Sequence, residues 1–266
     1  MAEPGSSDGL ALRRLPARDR AIVLSGVAAA AALAWIYLLY LSWGMAHMEA
    51  GAGMAIMPRM TDWGVVDLLL ILAMWVVMMA AMMLPSVVPM IFAFAFLSRQ
   101  RRAQQLPYGR TSVFVLGYLT AWSAFCLLAT FAQWGLLEAR LITPMMVSAT
   151  PLLGGTLLVV AGVFQLTPIK RACLGKCASP LGFLLTEWRD GTRGALIMGI
   201  RHGIYCVGCC GVLMALLFVF GVMSVLWVAA LAIFVTLEKM LPRARWLSFA
   251  GGVLLVCWGV VVATVG

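Results

Sequence analysis

The richest set of metal-ligand side chains lies in one apolar stretch, residues 201–210. His202, Cys206 and Cys209 or Cys210 follow one another at i, i+4 and i+7 or i+8. In a helix this spacing puts one imidazole and two thiols on the same side, and both groups bind soft metals. The alternative is helix packing, because cysteine is small and common at close helix contacts. We favour the ligand interpretation, since three cysteines beside an intramembrane histidine exceed what packing needs.

Methionine supplies a second group of soft ligands. Eleven of the 18 methionines lie between residues 45 and 90. Met74, Met78 and Met82 recur there at helical spacing with one acid, Asp67, so three thioethers share one stripe of the predicted helix. Thioethers suit Cu(I), whereas methionine in a spanning helix is more often a packing residue. Both interpretations stay open for this stripe.

Two connecting segments carry further candidate ligands. Segment 42–63 is rich in methionine and glycine and contains His47 and Met48, which could capture a soft ion outside the membrane. An amphipathic segment on the membrane surface is the competing interpretation. Segment 167–193 carries Cys173 and Cys177, spaced i and i+4 on a basic stretch that favours thiolate. In a reducing cytoplasm these two are expected to be free thiols or metal ligands.

Three charged side chains fall inside or at the edge of apolar stretches. Asp67 should face the helix bundle, water or an ion, because a carboxylate facing lipid is costly. Arg201 and Glu238 come to similar depths on consecutive predicted spans, at about 1.5 Å of rise per residue. We therefore predict an ion pair between them, with an arginine that snorkels to the headgroups as the alternative.

The elements that position these residues are long apolar runs. Of the 266 residues, 64% are hydrophobic and 11% charged, and mean hydropathy is +1.02. Too little polar surface remains to coat a soluble domain, so the sequence predicts an all-α, polytopic transmembrane helix bundle. We predict seven spans, at about residues 21–41, 65–97, 111–137, 151–166, 194–222, 223–237 and 246–265.

The distribution of Lys and Arg predicts the orientation. With the N-terminus inside, 16 of the 19 basic residues fall in cytoplasmic segments and only Arg59 and Arg140 fall outside. This bias is typical of inner-membrane proteins and makes residues 1–20 a cytoplasmic tail. Residues 21–266 then form one transmembrane domain, with 42–63 as an external loop and 167–193 as an internal loop. No separate basic domain remains for nucleic acid.

The methionine stripe and the cysteine cluster reach matching depths from opposite sides of the membrane. Cys206 lies about 18 Å above the inner end of its span, and Met74 to Met78 lie about 14–20 Å below the outer end of theirs. Both positions are near the midplane. If the two helices are neighbours, they form one soft-metal site of three or four ligands.

Four sequence blocks resemble a bacterial family known only as domain of unknown function 2182. The blocks lie at residues 74–86, 165–174, 199–210 and 238–239, in the same order as in the family. Members are described as predicted metal-binding integral membrane proteins. The resemblance covers about residues 61–242, and it implies polytopic helices and a bound metal without naming a reaction.

These observations leave two principal hypotheses. The first is a transporter or carrier for a soft metal, copper(I) before any other. The second is a non-transporting accessory protein that holds copper or assembles a membrane metalloenzyme, with a metallochaperone or a metalloenzyme as candidate partner. An enzyme is not expected, because there are two histidines, no nucleotide-binding glycine loop and no catalytic triad. The expected partners are membrane lipid and the metal ion.

Overall fold

The computed structural model describes residues 16–46, 64–142, 150–222, 224–241 and 244–265. Every regular element in these ranges is a helix, which confirms the predicted all-α class. In chain order the helices are α1 Ala17–Ala46, α2 Val65–Ala103, α3 Thr111–Glu138, α4 Pro151–Leu166, α5 Pro168–Cys177, α6 Pro180–Glu187, α7 Gly191–Met214, α8 Leu217–Phe220, α9 Val225–Met240 and α10 Ala244–Val265.

Five stretches of the described chain are long and apolar enough to cross a membrane, and a bent pair of helices would make six. The five are Ala17–Gly44, Val65–Ala103, Thr111–Glu138, Gly191–Phe220 and Arg245–Val265. The predicted count of seven is not confirmed. Its sixth span corresponds to α9, whose 16 residues reach only about 24 Å against a hydrocarbon core of about 30 Å.

Helix α2 is the longest element and forms one wall of the bundle. Its 39 residues correspond to about 58 Å, so it extends beyond the hydrocarbon core. The helix continues through Pro85 and Pro89. Beyond the apolar part, Arg101 pairs with Asp190 at 2.6 Å, which ties the end of α2 to the turn before α7.

Helices α3 and α7 pack in parallel at very close range. A side chain at Gly117 would meet the backbone of residues 196–200, and one at Gly199 would lie 2.1 Å from the carbonyl oxygen of Phe114. Only glycine allows this approach, which is typical of membrane helix pairs. As a result α7 is held in the interior with its cysteines buried.

Helix α5 turns away from α4 by 66° at Thr167 and Pro168. Pro168 occupies the first turn of α5, and the Thr167 hydroxyl caps the new helix by accepting from the backbone N–H of Lys170. Helix α5 then lies against α7. The predicted internal loop 167–193 is therefore largely helical, and this geometry carries its two cysteines into the bundle.

The remaining helices close the bundle around these elements. Helix α10 packs along α4, whereas α9 packs against α2 and contacts α7 and α10. The C-terminal end of α9 is consequently surrounded by other helices, and Glu238 there is 1% exposed. A charged end of a short helix is thus placed in the protein interior, where it needs partners.

Candidate metal centre

The cysteines of α7 lie on its buried side, as their spacing predicted. Cys206, Cys209 and Cys210 are each 1% exposed. The thiols of Cys209 and Cys210 both donate to the backbone carbonyl of Cys206, at 3.1 and 3.0 Å. Helix geometry and these local hydrogen bonds therefore hold three sulfur atoms within about one turn.

A cysteine of a second helix, α5, completes a cluster of three thiols. The Sγ atoms of Cys177, Cys206 and Cys209 all lie within 4.8 Å of one another, and Cys177 and Cys209 are 3.9 Å apart. Cys177 comes from the end of α5, so the 66° bend brings it there. All three are free thiols and all are buried. We call these three residues the thiol triad.

A methionine of α2 contacts Cys210, the cysteine next to the triad, but it is not one of the three predicted. The Sδ atom of Met83 lies 4.0 Å from the Sγ atom of Cys210. Met74 instead lines a small cavity with Leu38, Val222, Val225 and Val228. Met78 and Met82 are buried in the apolar core, and their role as ligands stays a prediction.

One lysine supplies positive charge to the centre. The Lys239 ammonium, on α9, donates to the Sγ atom of Cys206 at 2.9 Å and to the Ser86 hydroxyl at 3.0 Å. It also lies 3.9 Å from the Met83 sulfur. A charged donor at this distance stabilises negative charge on sulfur, which is the form that binds metal. Lys239 is therefore the electrostatic partner of Cys206.

Helix α3 adds a further polar contact to the same sulfur. The Tyr118 hydroxyl and the Cys206 thiol share a hydrogen bond of 3.1 Å. Tyr118 is fully buried, and the glycine contacts between α3 and α7 bring it into reach. Cys206 consequently stands at the centre of contacts from α3, α5, α7 and α9.

His202 lies one turn before Cys206 but outside the thiol triad. It is 3% exposed and packs edge-on against the Phe183 ring, with centroids 5.2 Å apart. Its Nδ1 atom has no hydrogen-bond partner among the described residues. The rings of Phe114 and Tyr118 enclose it from the side of α3. Its predicted role as a ligand stays a prediction.

The predicted ion pair between Arg201 and Glu238 is wrong. Glu238 accepts two hydrogen bonds from the Lys170 ammonium, at 2.7 and 2.8 Å, and one from the Ser248 hydroxyl at 2.6 Å. Arg201 pairs with Glu187 of α6 instead. The reason is that α5 folds against the bundle and presents Lys170 to α9, whereas Arg201 faces α6.

Asp67 is buried and accepts a hydrogen bond at the start of its own helix. Its Oδ2 atom accepts a hydrogen bond of 2.9 Å from the backbone N–H of Gly64, immediately before α2. A carboxylate in the first turn of a helix satisfies a free N–H group and interacts favourably with the helix dipole. This contact gives the acid of the apolar helix a partner at the start of α2.

The candidate ligands of the external loop, His47 and Met48, lie outside the described residues. Cys173 is described: it is half-buried on α5, and a side-chain carbon at Gly208 would lie 3.0 Å from its Sγ atom. Cys173 is thus next to the triad but not part of it. It is one turn from Cys177 along the helix.

Sequence reasoning missed four residues of this centre: Met83, Ser86, Tyr118 and Lys239. Met83 is adjacent to Met82 and lies off the stripe that we chose. Lys239 was counted among the cytoplasmic charges, although it follows Glu238 at the end of an apolar helix. A basic residue at the end of an apolar helix predicts a partner inside the helix bundle.

The chemistry of the donor set favours soft cations. In the described chain the triad contains sulfur alone, and the neighbouring Cys210 and Met83 add two more sulfur atoms. Thiolate and thioether ligands select Cu(I), whereas hard cations require oxygen ligands. The residues present therefore fit Cu(I) as a cargo.

Comparison with known proteins agrees with this chemistry. A family model described as copper chaperone, PpoB2, matches residues 72–262, which include α7, α9 and both cysteines of α5. No curated protein and no solved structure matches the chain. Since the match covers well over half of the sequence, the chain belongs to the PpoB2 family of copper chaperones.

Proposed function

We propose that this chain is an integral, multi-pass carrier of the cell inner membrane that holds Cu(I) on the thiol triad and passes it to a protein partner. The observation that carries the proposal is the triad itself, Cys177, Cys206 and Cys209, within 4.8 Å of one another in a chain of the copper chaperone family. The partner would be a metallochaperone or a membrane metalloenzyme. Copper enters and leaves as Cu(I), so the proposal includes no catalytic reaction.

Burial of the thiols makes this centre suitable for holding Cu(I). The three thiols are at most 8% exposed, which keeps the bound ion from water and from oxidants. Two thiolates and one Cu(I) carry a net charge of −1, and the Lys239 ammonium beside Cys206 balances it. A neutral assembly is far cheaper to hold in a low-dielectric bundle than an uncompensated charge.

The proposal is tested by Cu(I) titration of the purified protein against a competing chelator without oxygen. Cys206→Ser and Cys177→Ser should each weaken Cu(I) binding by at least about 10- to 100-fold, the loss usual for removing even an outer-shell group of a metal site. Cys126→Ser, a buried thiol of α3, and Cys257→Ser, an exposed thiol of α10, are the matched controls. Wild-type affinity in both triad variants would refute the proposal.

A vesicle assay separates a carrier from a transporter. Membrane vesicles that contain the protein are loaded with a Cu(I) indicator, and copper is added outside. We expect binding that depends on Cys206 without accumulation of copper inside. Accumulation that depends on Cys206 would instead support transport across the membrane by the same thiols.

A further inference from the structure

The thiol triad has no direct access for a partner's ligands. Cys206 and Cys209 are 1% exposed and Cys177 is 8% exposed. Copper passes between proteins when an incoming ligand binds before the old one leaves, so the incoming group must reach the metal. A site that is closed on all sides therefore requires an accessible ligand at its edge.

Cys173 occupies that edge. Its side chain is half-buried, on a helix that also exposes Arg171. It lies one turn before Cys177, so both thiols share a face of α5. Its Sγ atom also packs on Gly208, where a side-chain carbon would come within 3.0 Å of it. Gly208 directly precedes Cys209, so this contact places the Cys173 sulfur beside the part of α7 that carries that thiol.

Four thiols thus form a graded series from the surface of the bundle to its interior. Cys173 is half-buried, Cys177 is 8% exposed, and Cys206 and Cys209 are 1% exposed. Cys257, the exposed cysteine of the described chain, lies on α10 and belongs to no such series. Gly208 leaves room for this arrangement, because a side-chain carbon there would lie 3.0 Å from the Cys173 sulfur and would push it by a few tenths of an ångström.

We propose that Cys173 is the exchange ligand through which Cu(I) enters and leaves the thiol triad. The inference rests on the proposed function and adds a route to it. In the outward step the Cys173 sulfur forms a bond to copper and its proton goes to water. The bond between copper and Cys206 then breaks, its electron pair stays on the Cys206 sulfur, and the Lys239 ammonium stabilises that thiolate. Copper remains Cu(I) throughout.

The experiment measures how fast a bulky water-soluble Cu(I) chelator, bathocuproine disulfonate, removes copper from the loaded full-length protein. Cys173→Ser should slow removal by at least about tenfold, the lower end of what loss of one group at a metal site costs. Its equilibrium affinity for Cu(I) should stay close to that of the wild type. Cys257→Ser is the control for an exposed thiol and should exchange at the wild-type rate.

A labelling measurement on the wild-type protein keeps the test independent of folding. A water-soluble maleimide should modify Cys173 faster than the triad thiols, and modification should trap bound copper. Removal at the wild-type rate from Cys173→Ser would overturn the inference but leave the proposed function standing. An affinity loss as large as that of Cys206→Ser would make Cys173 a resident ligand and would also overturn it. Failure of the wild type to bind Cu(I) would overturn both.

Discussion

At the scale of single residues, Cys206 decides the chemistry of the centre. Its Sγ atom is hydrogen-bonded to the Lys239 ammonium at 2.9 Å and to the Tyr118 hydroxyl at 3.1 Å, and it belongs to the thiol triad. A sulfur with a charged donor is prepared to bind a cation as thiolate. The thiols of Cys209 and Cys210 donate to the backbone carbonyl of Cys206 and have no charged hydrogen-bond partner in the described contacts.

Replacing Lys239 by methionine tests this electrostatic role. Lys239→Met keeps the length of the side chain and removes its charge, so the loss of a charge-assisted contact, about 1.5–3 kcal/mol, should weaken Cu(I) binding by about tenfold or more. Lys239→Arg should restore most of the affinity. Lys176→Met, on the same basic helix as Cys173, is the control and should bind as the wild type does. Unchanged affinity in Lys239→Met would show that the ammonium does not compensate the bound ion.

The sequence predicted the cysteines of this centre better than their surroundings. Helical spacing alone places Cys206, Cys209 and Cys210 on one face, because a helix is a local structure. The contribution of Met83 rather than Met82 depends on how α2 is rotated against its neighbours. That rotation results from tertiary packing, which a single sequence does not reveal.

At the scale of elements, helix α5 joins the thiols to a buried ion pair. Lys170 near its start pairs with Glu238, and Cys177 at its end completes the triad. Glu238 and Lys239 are adjacent on α9, so one helix end holds both the ion pair and the partner of Cys206. The ion pair thereby positions α5, the helix that contributes Cys177 to the triad.

We expect Lys170→Met to destabilise the protein strongly. The side chains of Lys170 and Glu238 are at most 2% exposed, and leaving one buried charge unpaired costs about 3–5 kcal/mol. Arg201→Met is the matched control, because the Arg201 side chain is 43% exposed and its pair should contribute about 1 kcal/mol or less. Thermal unfolding in detergent compares the two. Similar midpoints would contradict a structural role for the buried pair.

The double variant Lys170→Met with Glu238→Met separates pairing from packing. Removing both charges leaves no unpaired ion, so the double variant should be more stable than Lys170→Met alone. The sequence did not reveal the pair of Lys170 and Glu238. It predicted segment 167–193 to be a loop and Arg201 to be the partner of Glu238. The 66° bend after α4 follows from tertiary contacts as well as from Pro168, and only the proline is visible in the sequence.

At the scale of the whole molecule, apolar helices surround a small polar centre. The outer helices α1 and α10 carry many exposed apolar side chains, as expected for surfaces that face lipid. Hydropathy predicted this organisation, because it depends only on long apolar runs. The number of spans was less predictable, since α9 is apolar but short and ends in the interior.

The distribution of basic residues predicts on which side Cys173 is accessible. Helix α5 carries Lys176 and Arg171, so it should lie on the cytoplasmic side. In a Cys257→Ser background, a membrane-impermeant maleimide should label Cys173 in inside-out vesicles and leave it unlabelled in right-side-out vesicles. The opposite pattern would reverse the proposed orientation.

The central claim is that Cu(I) is held by sulfur ligands of the thiol triad. X-ray absorption at the copper edge of the loaded, full-length protein tests it most directly, compared with Cys177→Ser loaded under the same conditions. We predict a first shell of sulfur atoms alone in the wild type, and one that loses a sulfur or fails to load in the variant. A shell dominated by nitrogen or oxygen, or identical spectra for the two proteins, would contradict the account.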